Sequence, residues 1–168
     1  MDNKQKGNLA AASAIHRFVL AGYTVSIPLT DTAKYDLVVE QDGRFQAVQC
    51  KYAGYEGNQG LYSVPLYVSG GNRSAGNRRI KYQEQDFDLL YVLCANGRAY
   101  VIPFAAIAGQ TTITINVGRS SKWSRWEQYL FAEPGGDCSP AEEFAGENPS
   151  KSVKPLSDGN AEPSLDSP

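Results

Sequence analysis

The segment from Asp36 to Tyr52 constrains the fold more than any other part of the chain. It reads Asp36-Leu37-Val38-Val39-Glu40-Gln41, then Asp42-Gly43, then Arg44-Phe45-Gln46-Ala47-Val48-Gln49-Cys50-Lys51-Tyr52. Two runs rich in strand-forming residues joined by Asp-Gly predict a β-hairpin with a type I′ turn, whose central residues must both take positive φ. With Asp42 and Gly43 as the loop, Gln41 faces Arg44 and, counting back along both strands, Asp36 faces Gln49. Side chains alternate, so Leu37, Val39, Val48 and Cys50 share one face, while Asp36, Val38, Glu40, Phe45, Ala47, Gln49 and Lys51 share the other. The four residues of the first set are all apolar. A slip of one residue would bury the charged set in its place, so the register is strongly specified.

At 168 residues the chain can bury one hydrophobic core, and a single globular domain over residues 1–132 is expected. A helix is expected from about Asn8 to Ala21, capped by Asn8, with an apolar stripe of Ala11, Ala12, Ile15, Phe18 and Val19 and a stop at Gly22. Tyr23–Pro28 reads as a short strand, and Leu61–Val68 as a strand that Pro65 confines to a sheet edge. Asp88–Cys94 and Arg98–Phe104 predict a second hairpin around Asn96-Gly97, followed by a strand over Thr111–Val117 and a closing helix over Lys122–Leu130. In that helix Trp123 and Trp126 are expected to pack in the core or between subunits. This order predicts an α/β fold of the α+β sandwich type, with a mixed central β-sheet flanked by helices.

Composition narrows the function. No run of about 18 apolar residues occurs and no hydrophobic leader opens the chain, so a soluble, cytoplasmic protein without a membrane partner is expected. Cys50, Cys94 and Cys138 are odd in number, scattered and without a CxxC, which argues for reduced thiols against a disulfide framework or a zinc site. The single histidine, His16, argues against a His-rich metal site and against Ser-His-Asp or Cys-His nucleophiles, and is expected on the helix surface. Residues 133–168, rich in Pro, Gly, Ser and Glu, are expected to form an acidic, disordered tail. The net charge of −2 conceals a division: residues 1–132 carry 14 Lys and Arg against 10 Asp and Glu, and the tail carries 2 against 8. A mildly basic body permits a polyanionic partner.

The candidate catalytic residues are Asp36, Gln49 and Lys51. Cβ atoms directly opposed across a hairpin lie about 5 Å apart, and neighbours two positions along a strand about 7 Å, so the three side chains can converge on one small ligand. Glu40 sits about 13 Å along the strand from Asp36, beyond a shared coordination sphere. The Asp36 carboxylate, the Gln49 amide oxygen and the Cys50 backbone carbonyl make a hard oxygen set suited to Mg²⁺, with Mn²⁺ as a substitute. Lys51 beside them adds positive charge where a phosphate and an attacking water would meet, which is chemistry for phosphodiester hydrolysis. A solvated Asp–Lys cross-strand pair without function has the same spacing.

The segments Tyr35-Asp36-Leu37-Val38-Val39-Glu40, Asp42-Gly43 and Val48-Gln49-Cys50-Lys51-Tyr52 together resemble the motif of the PD-(D/E)XK nuclease superfamily. They are closest to its small group I intron-encoded homing endonucleases, in which Gln replaces the second acid. The resemblance extends over residues 6–130. It includes Lys6-Gly7 before an Ala-rich helix, Gly22-Tyr23, Asp88-Leu89-Leu90-Tyr91-Val92, Ala95-Asn96-Gly97, Ile102-Pro103-Phe104 and Ser121-Lys122-Trp123-Ser124-Arg125-Trp126. It implies a PD-(D/E)XK nuclease-like core and a site-specific, Mg²⁺-dependent endonuclease acting on double-stranded DNA. Asp36 would then be the metal ligand, Gln49 would hold the second-acid position, and Lys51 would be the catalytic lysine.

Two departures stand out. Tyr35 occupies the Pro position of the motif, which only shapes entry to the strand. The first helix has no acid over Asn8–Ala14, where related nucleases often place a Glu, and Ala11 or Ala12 falls at that position. The metal set is one carboxylate short. Two alternatives stay open, a Holliday-junction-resolvase-like, structure-selective nuclease and a DNA-binding module with weakened cleavage. DNA contacts are expected from Arg73, Arg78, Arg79 and Lys81 in a Gly-rich loop, and from Arg119, Lys122 and Arg125 near the late helix. One active site per chain implies a homo-oligomer, a dimer or tetramer, for cutting both strands.

Overall fold

A computed structural model describes residues 1–30, 32–56, 60–69, 79–116 and 124–132. The acidic tail, Arg73, Arg78, Arg119, Lys122, Trp123 and Cys138 lie outside the described residues. Helix α1 (Asn3–Leu20) begins well before Asn8. Its N-cap is Asp2, whose side chain accepts from the Gln5 amide at 2.8 Å while Gln5 Oε1 accepts from the Asp2 amide at 2.9 Å. This reciprocal capping box satisfies two backbone donors and outweighs a cost of about 1 kcal/mol for Gly7 inside the helix.

The strands that follow are β1 (Thr24–Ser26), β2 (Leu37–Gln41), β3 (Arg44–Ala53), β4 (Tyr55–Glu56), β5 (Leu61–Pro65), β6 (Tyr67–Ser69), β7 (Arg79–Lys81), β8 (Leu89–Cys94) and β9 (Ala99–Pro103). Then come α2 (Phe104–Ile107), β10 (Thr112–Asn116), a 3-10 helix (Ser124–Tyr129) and β11 (Leu130–Phe131). The described residues form a six-stranded sheet in the order β1-β2-β3-β8-β9-β11, a three-stranded sheet β10-β5-β4 and a two-stranded ribbon β6-β7. The fold is a mixed α+β sandwich. Only β3 and β8 pair in parallel in the large sheet, Gln49 lying beside Leu90 and Lys51 beside Val92.

The β2–β3 register is the one the alternation dictates, running from Gln41 beside Arg44 to Leu37 beside Val48. Asp42 and Gly43 have φ of 52° and 76°, as a type I′ turn demands. Leu37, Val39, Val48 and Cys50 are buried with Ala10, Ala14 and Phe18 of α1. The opposite face of the large sheet is covered by Tyr62, Val64, Ile113 and Ile115 of the three-stranded sheet, with Ile107 and Trp126. Strand β8 is buried along its whole length, which explains its unbroken apolar run, since a central strand covered on both faces has no solvent side.

Four local expectations are corrected. The stripe of α1 buries Ala10, Ala14, Arg17 and Phe18, leaving Ala12 and Val19 exposed. Small alanines let the helix lie close on the sheet, and the Arg17 guanidinium is accommodated because it donates to Gly97 O at 2.9 Å and Phe131 O at 3.3 Å. Leu61–Val68 is two strands in different sheets, and β5 is the middle strand of its sheet. Pro65 is tolerated at its last position because β4 reaches only as far as Tyr62, so no neighbour needs a Pro65 donor on that side. The closing helix is 3-10 in form and ends before Leu130, which is captured with Phe131 by pairing to Tyr100 and Ala99. Trp126 is a core residue, and His16 is exposed. Among the described residues no helix is long and apolar enough to cross a membrane.

Candidate active site

Asp36 stands one residue before β2, and its amide extends the hairpin ladder by donating to Val48 O at 2.9 Å. That bond sets its side chain over Gln49. One carboxylate oxygen, Oδ2, accepts from Gln49 Nε2 at 2.5 Å and from the Cys50 amide at 2.7 Å. Gln49 Nε2 also donates to Cys50 O at 3.1 Å. Gln49 is nearly buried, 9% exposed, so a carboxylate, an amide and a backbone carbonyl are gathered where solvent screening is weak. Glu40, at the far end of the strand, folds back on the turn and accepts from the Gly43 amide at 2.8 Å.

Lys51 projects from the same face of β3. Its Nζ lies 3.5 Å from Tyr67 O, at the outer limit of a hydrogen bond, and 5.2 Å from the centre of the Tyr82 ring. Burial pushes the Lys51 ammonium below the ordinary lysine range, against the opposing pull of the Asp36 charge. For Asp36 burial again dominates and raises the carboxyl, while the Cys50 amide, the Lys51 charge and Gln49 work to lower it. Both groups are therefore held in surroundings that penalise charge, each relieved by the other.

Tyr82 is the participant that spacing along the sequence could not reveal. It follows directly on β7, far along the chain from Lys51, and only the fold brings the two together. The ring is fixed edge-to-face on Phe87, with centres 5.0 Å apart at 78°. Burial together with the Asp36 and Asp86 charges raises the Tyr82 hydroxyl, which stays protonated at neutral pH. The loop after it is pinned by Asp86, which accepts from the Gln83 amide at 2.8 Å and pairs with Lys34 at 2.9 Å. Lys34 thereby ties the approach to Asp36 to this loop.

Among the expected DNA contacts, Lys81 is exposed on β7 directly beside Tyr67, and Arg79 lies beside Ser69 in the same ribbon. The ribbon thus brings Lys81 to the edge of the site, beside the Tyr67 whose carbonyl faces Lys51. Arg125 is exposed but engaged, donating to Gln110 Oε1 at 3.0 Å with its guanidinium 4.3 Å over Trp126. Cys50 and Cys94 are buried free thiols. Burial raises both, Cys94 to about 12, so neither is a nucleophile at neutral pH. Among the described residues no cluster of three or more His, Cys, Asp or Glu side chains is poised for a metal.

Comparison with known proteins places the chain in a family. Protein 5.3 of Escherichia phage T7 is 31% identical over 111 residues, covering 64% of this chain and 83% of the relative. A solved structure of a bacterial homing endonuclease, I-Ssp6803I, matches with a TM-score of 0.67 and 28% identity over 77% of this chain and 89% of the other. The family model described as PD-(D/E)XK endonuclease matches residues 1–128. The hairpin that carries Asp36, Gln49 and Lys51 falls inside residues 1–128, and the chain belongs to the PD-(D/E)XK endonuclease family.

Proposed function

We propose that the chain is a metal-dependent, site-specific endonuclease of the homing type that hydrolyses phosphodiester bonds in double-stranded DNA. The observation that carries this reading is the convergence of Asp36 Oδ2, the Gln49 amide and Cys50 O beside a half-buried Lys51. Gln49 Nε2, a positively polarised group, rests between a carboxylate and a carbonyl oxygen, the kind of position that favours a cation. Turning that amide over would present Oε1 instead and complete an all-oxygen set. Such hard donors fit Mg²⁺, with Mn²⁺ as a substitute, better than zinc.

A bound divalent ion would supply polarisation of a phosphoryl oxygen and a lowered pKa for water. Asp36 would contribute the full negative charge of the site, with Gln49 and Cys50 O as neutral ligands. Lys51 would orient the attacking water and stabilise charge developing on the phosphate, with an effect enlarged by its dry surroundings. Arg79 and Lys81 of the β6–β7 ribbon, with Arg73 and Arg78 of the sequence between its strands, would hold the DNA backbone or read guanine edges, since a two-stranded ribbon fits the major groove. Arg119, Lys122 and Arg125 would add a second phosphate contact. Cutting both strands together requires two sites, so the active form is a dimer or tetramer.

A second reading, a DNA-binding module with weakened cleavage, is favoured by one observation: α1 carries no carboxylate. Supercoiled plasmid bearing a candidate intron-insertion site, incubated with Mg²⁺ and then with excess EDTA, separates the two. Metal-dependent linearisation supports the endonuclease, and a gel shift without any cutting supports the binding module. Preferential cutting of synthetic four-way junctions would overturn site-specific homing in favour of a structure-selective nuclease. Light scattering that finds a monomer on and off DNA would overturn the oligomer.

A further inference from the structure

We propose that Tyr82 is a positioning residue for Lys51, its ring face holding the ammonium at the site; its part in the reaction rests on the endonuclease reading above. A lysine on a half-buried strand face would ordinarily extend its charged head into solvent. Here three constraints oppose that. The ammonium lies 5.2 Å from the Tyr82 ring centre, within the reach of a cation–π attraction, and Tyr67 O draws it from a second direction. The ring cannot easily swing away, because it is locked against Phe87, which is 2% exposed and itself stacked edge-to-face on Phe104 with centres 5.3 Å apart. The backbone after Tyr82 is anchored through Asp86 to the Gln83 amide and Lys34.

The charge balance around Lys51 explains why such a holder is useful. Asp36 attracts the ammonium, and unopposed attraction would draw it onto the carboxylate and away from a phosphate. A neutral aromatic face stabilises the cation without neutralising it or competing for phosphate oxygens. The Tyr82 hydroxyl stays protonated, so the face remains neutral. The ring, not the hydroxyl, is therefore the working part.

The test uses the full chain with ¹³C-labelled lysine. A ring face over Nζ displaces the neighbouring ε-methylene protons upfield, and Lys51→Arg assigns the signal by removing it. In wild type one displaced lysine signal is expected; in Tyr82→Phe it should persist, and in Tyr82→Leu it should return to the ordinary position. Cleavage should follow the same pattern, with kcat lowered about tenfold in Tyr82→Leu at nearly unchanged KM and rescued in Tyr82→Phe. Absence of a displaced lysine signal in wild type would overturn the proposal before any variant is made. Wild-type kcat in Tyr82→Leu, or a change confined to KM, would overturn the positioning role. A displaced signal in a protein that never cuts DNA would overturn the endonuclease reading and leave the hold of Tyr82 on Lys51 supported.

Discussion

Asp36→Asn separates a structural carboxylate from a functional one, because the two roles give opposite expectations for stability. Asp36 Oδ2 accepts two hydrogen bonds, from Gln49 Nε2 and the Cys50 amide. An asparagine oxygen in the same place can keep both, losing only charge assistance, about 0.5–1 kcal/mol for each bond. Against that loss stands the desolvation of the carboxylate, which outweighs all the groups that favour its charged form, since the Asp36 pKa is raised. The carboxylate is partly open to solvent, which keeps the sum small, so Asp36→Asn should lie within about 1 kcal/mol of wild type at pH 7 and on the stabilising side.

The sign with pH follows from the same imbalance. A carboxyl raised in the folded state contributes stability that is complete below its unfolded pKa and is lost as pH rises through its folded pKa. Asparagine has no such dependence. In urea melts with EDTA present, wild type should therefore gain on the variant as the pH is lowered through the carboxylate range. Plasmid cleavage at neutral pH with Mg²⁺ should fall about 10³-fold or more, since the one full charge available to hold a cation is gone. A loss of more than about 2 kcal/mol at pH 7 would show that Asp36 serves chiefly to cap the Cys50 amide. Undiminished cutting by variant protein free of contaminating nuclease would remove Asp36 from the reaction.

Gln49→Glu places a second carboxylate against Asp36, so the metal-free protein should melt lower at neutral pH and gain more from Mg²⁺ than wild type does, with about 2.7 kcal/mol of stabilisation at 100 times Kd. A Mg²⁺-induced rise in Tm no larger than that of wild type would break the shared-site argument. Replacing Arg78 and Arg79 together by Ala should weaken DNA binding and reduce the slope of log K against log salt by about 2 if both neutralise phosphates; an unchanged slope with relaxed sequence preference would mean that they read bases. Arg17→Met deprives Gly97 O and Phe131 O of a charged donor in a buried position. It should cost about 2–3 kcal/mol in chemical denaturation, and an unchanged midpoint would mean that the guanidinium does not tie α1 to the sheet edge.

How much the sequence disclosed depended on whether a feature was local. The hairpin register was legible because the Asp42-Gly43 turn and the alternation on both sides of it agree, and a slip would expose Leu37 and Val48. The geometry of Asp36 and Gln49 followed from it. The start of α1 was also written locally, in Asp2-Asn3-Lys4-Gln5, yet Gly7 obscured it. The rotation of the α1 stripe was not legible, because Arg17 is buried by carbonyls that come from the β8–β9 turn and β11, far along the chain. Pro65 misled because its acceptability depends on where β4 stops. Tyr82 carried no signal at all, since its partner Lys51 is reached only through the crossover between β3 and β8.

That crossover has a consequence for how such a protein can change over evolutionary time. Parallel neighbours cannot be joined by a tight turn, so the chain must leave β3 and travel some distance before returning as β8. In this protein the detour contains β4 and β5 and the whole β6–β7 ribbon, and both of its ends are pinned by the central pair. The candidate reactive groups Asp36, Gln49 and Lys51 lie before it, on a hairpin closed by two residues. On the proposed function, chemistry and target choice would thus be inherited as separable segments. Substitutions and insertions in the detour would then redirect the protein to a new DNA sequence while the hairpin stays fixed, provided that Tyr67 and Tyr82, where the detour reaches back to Lys51, keep their places.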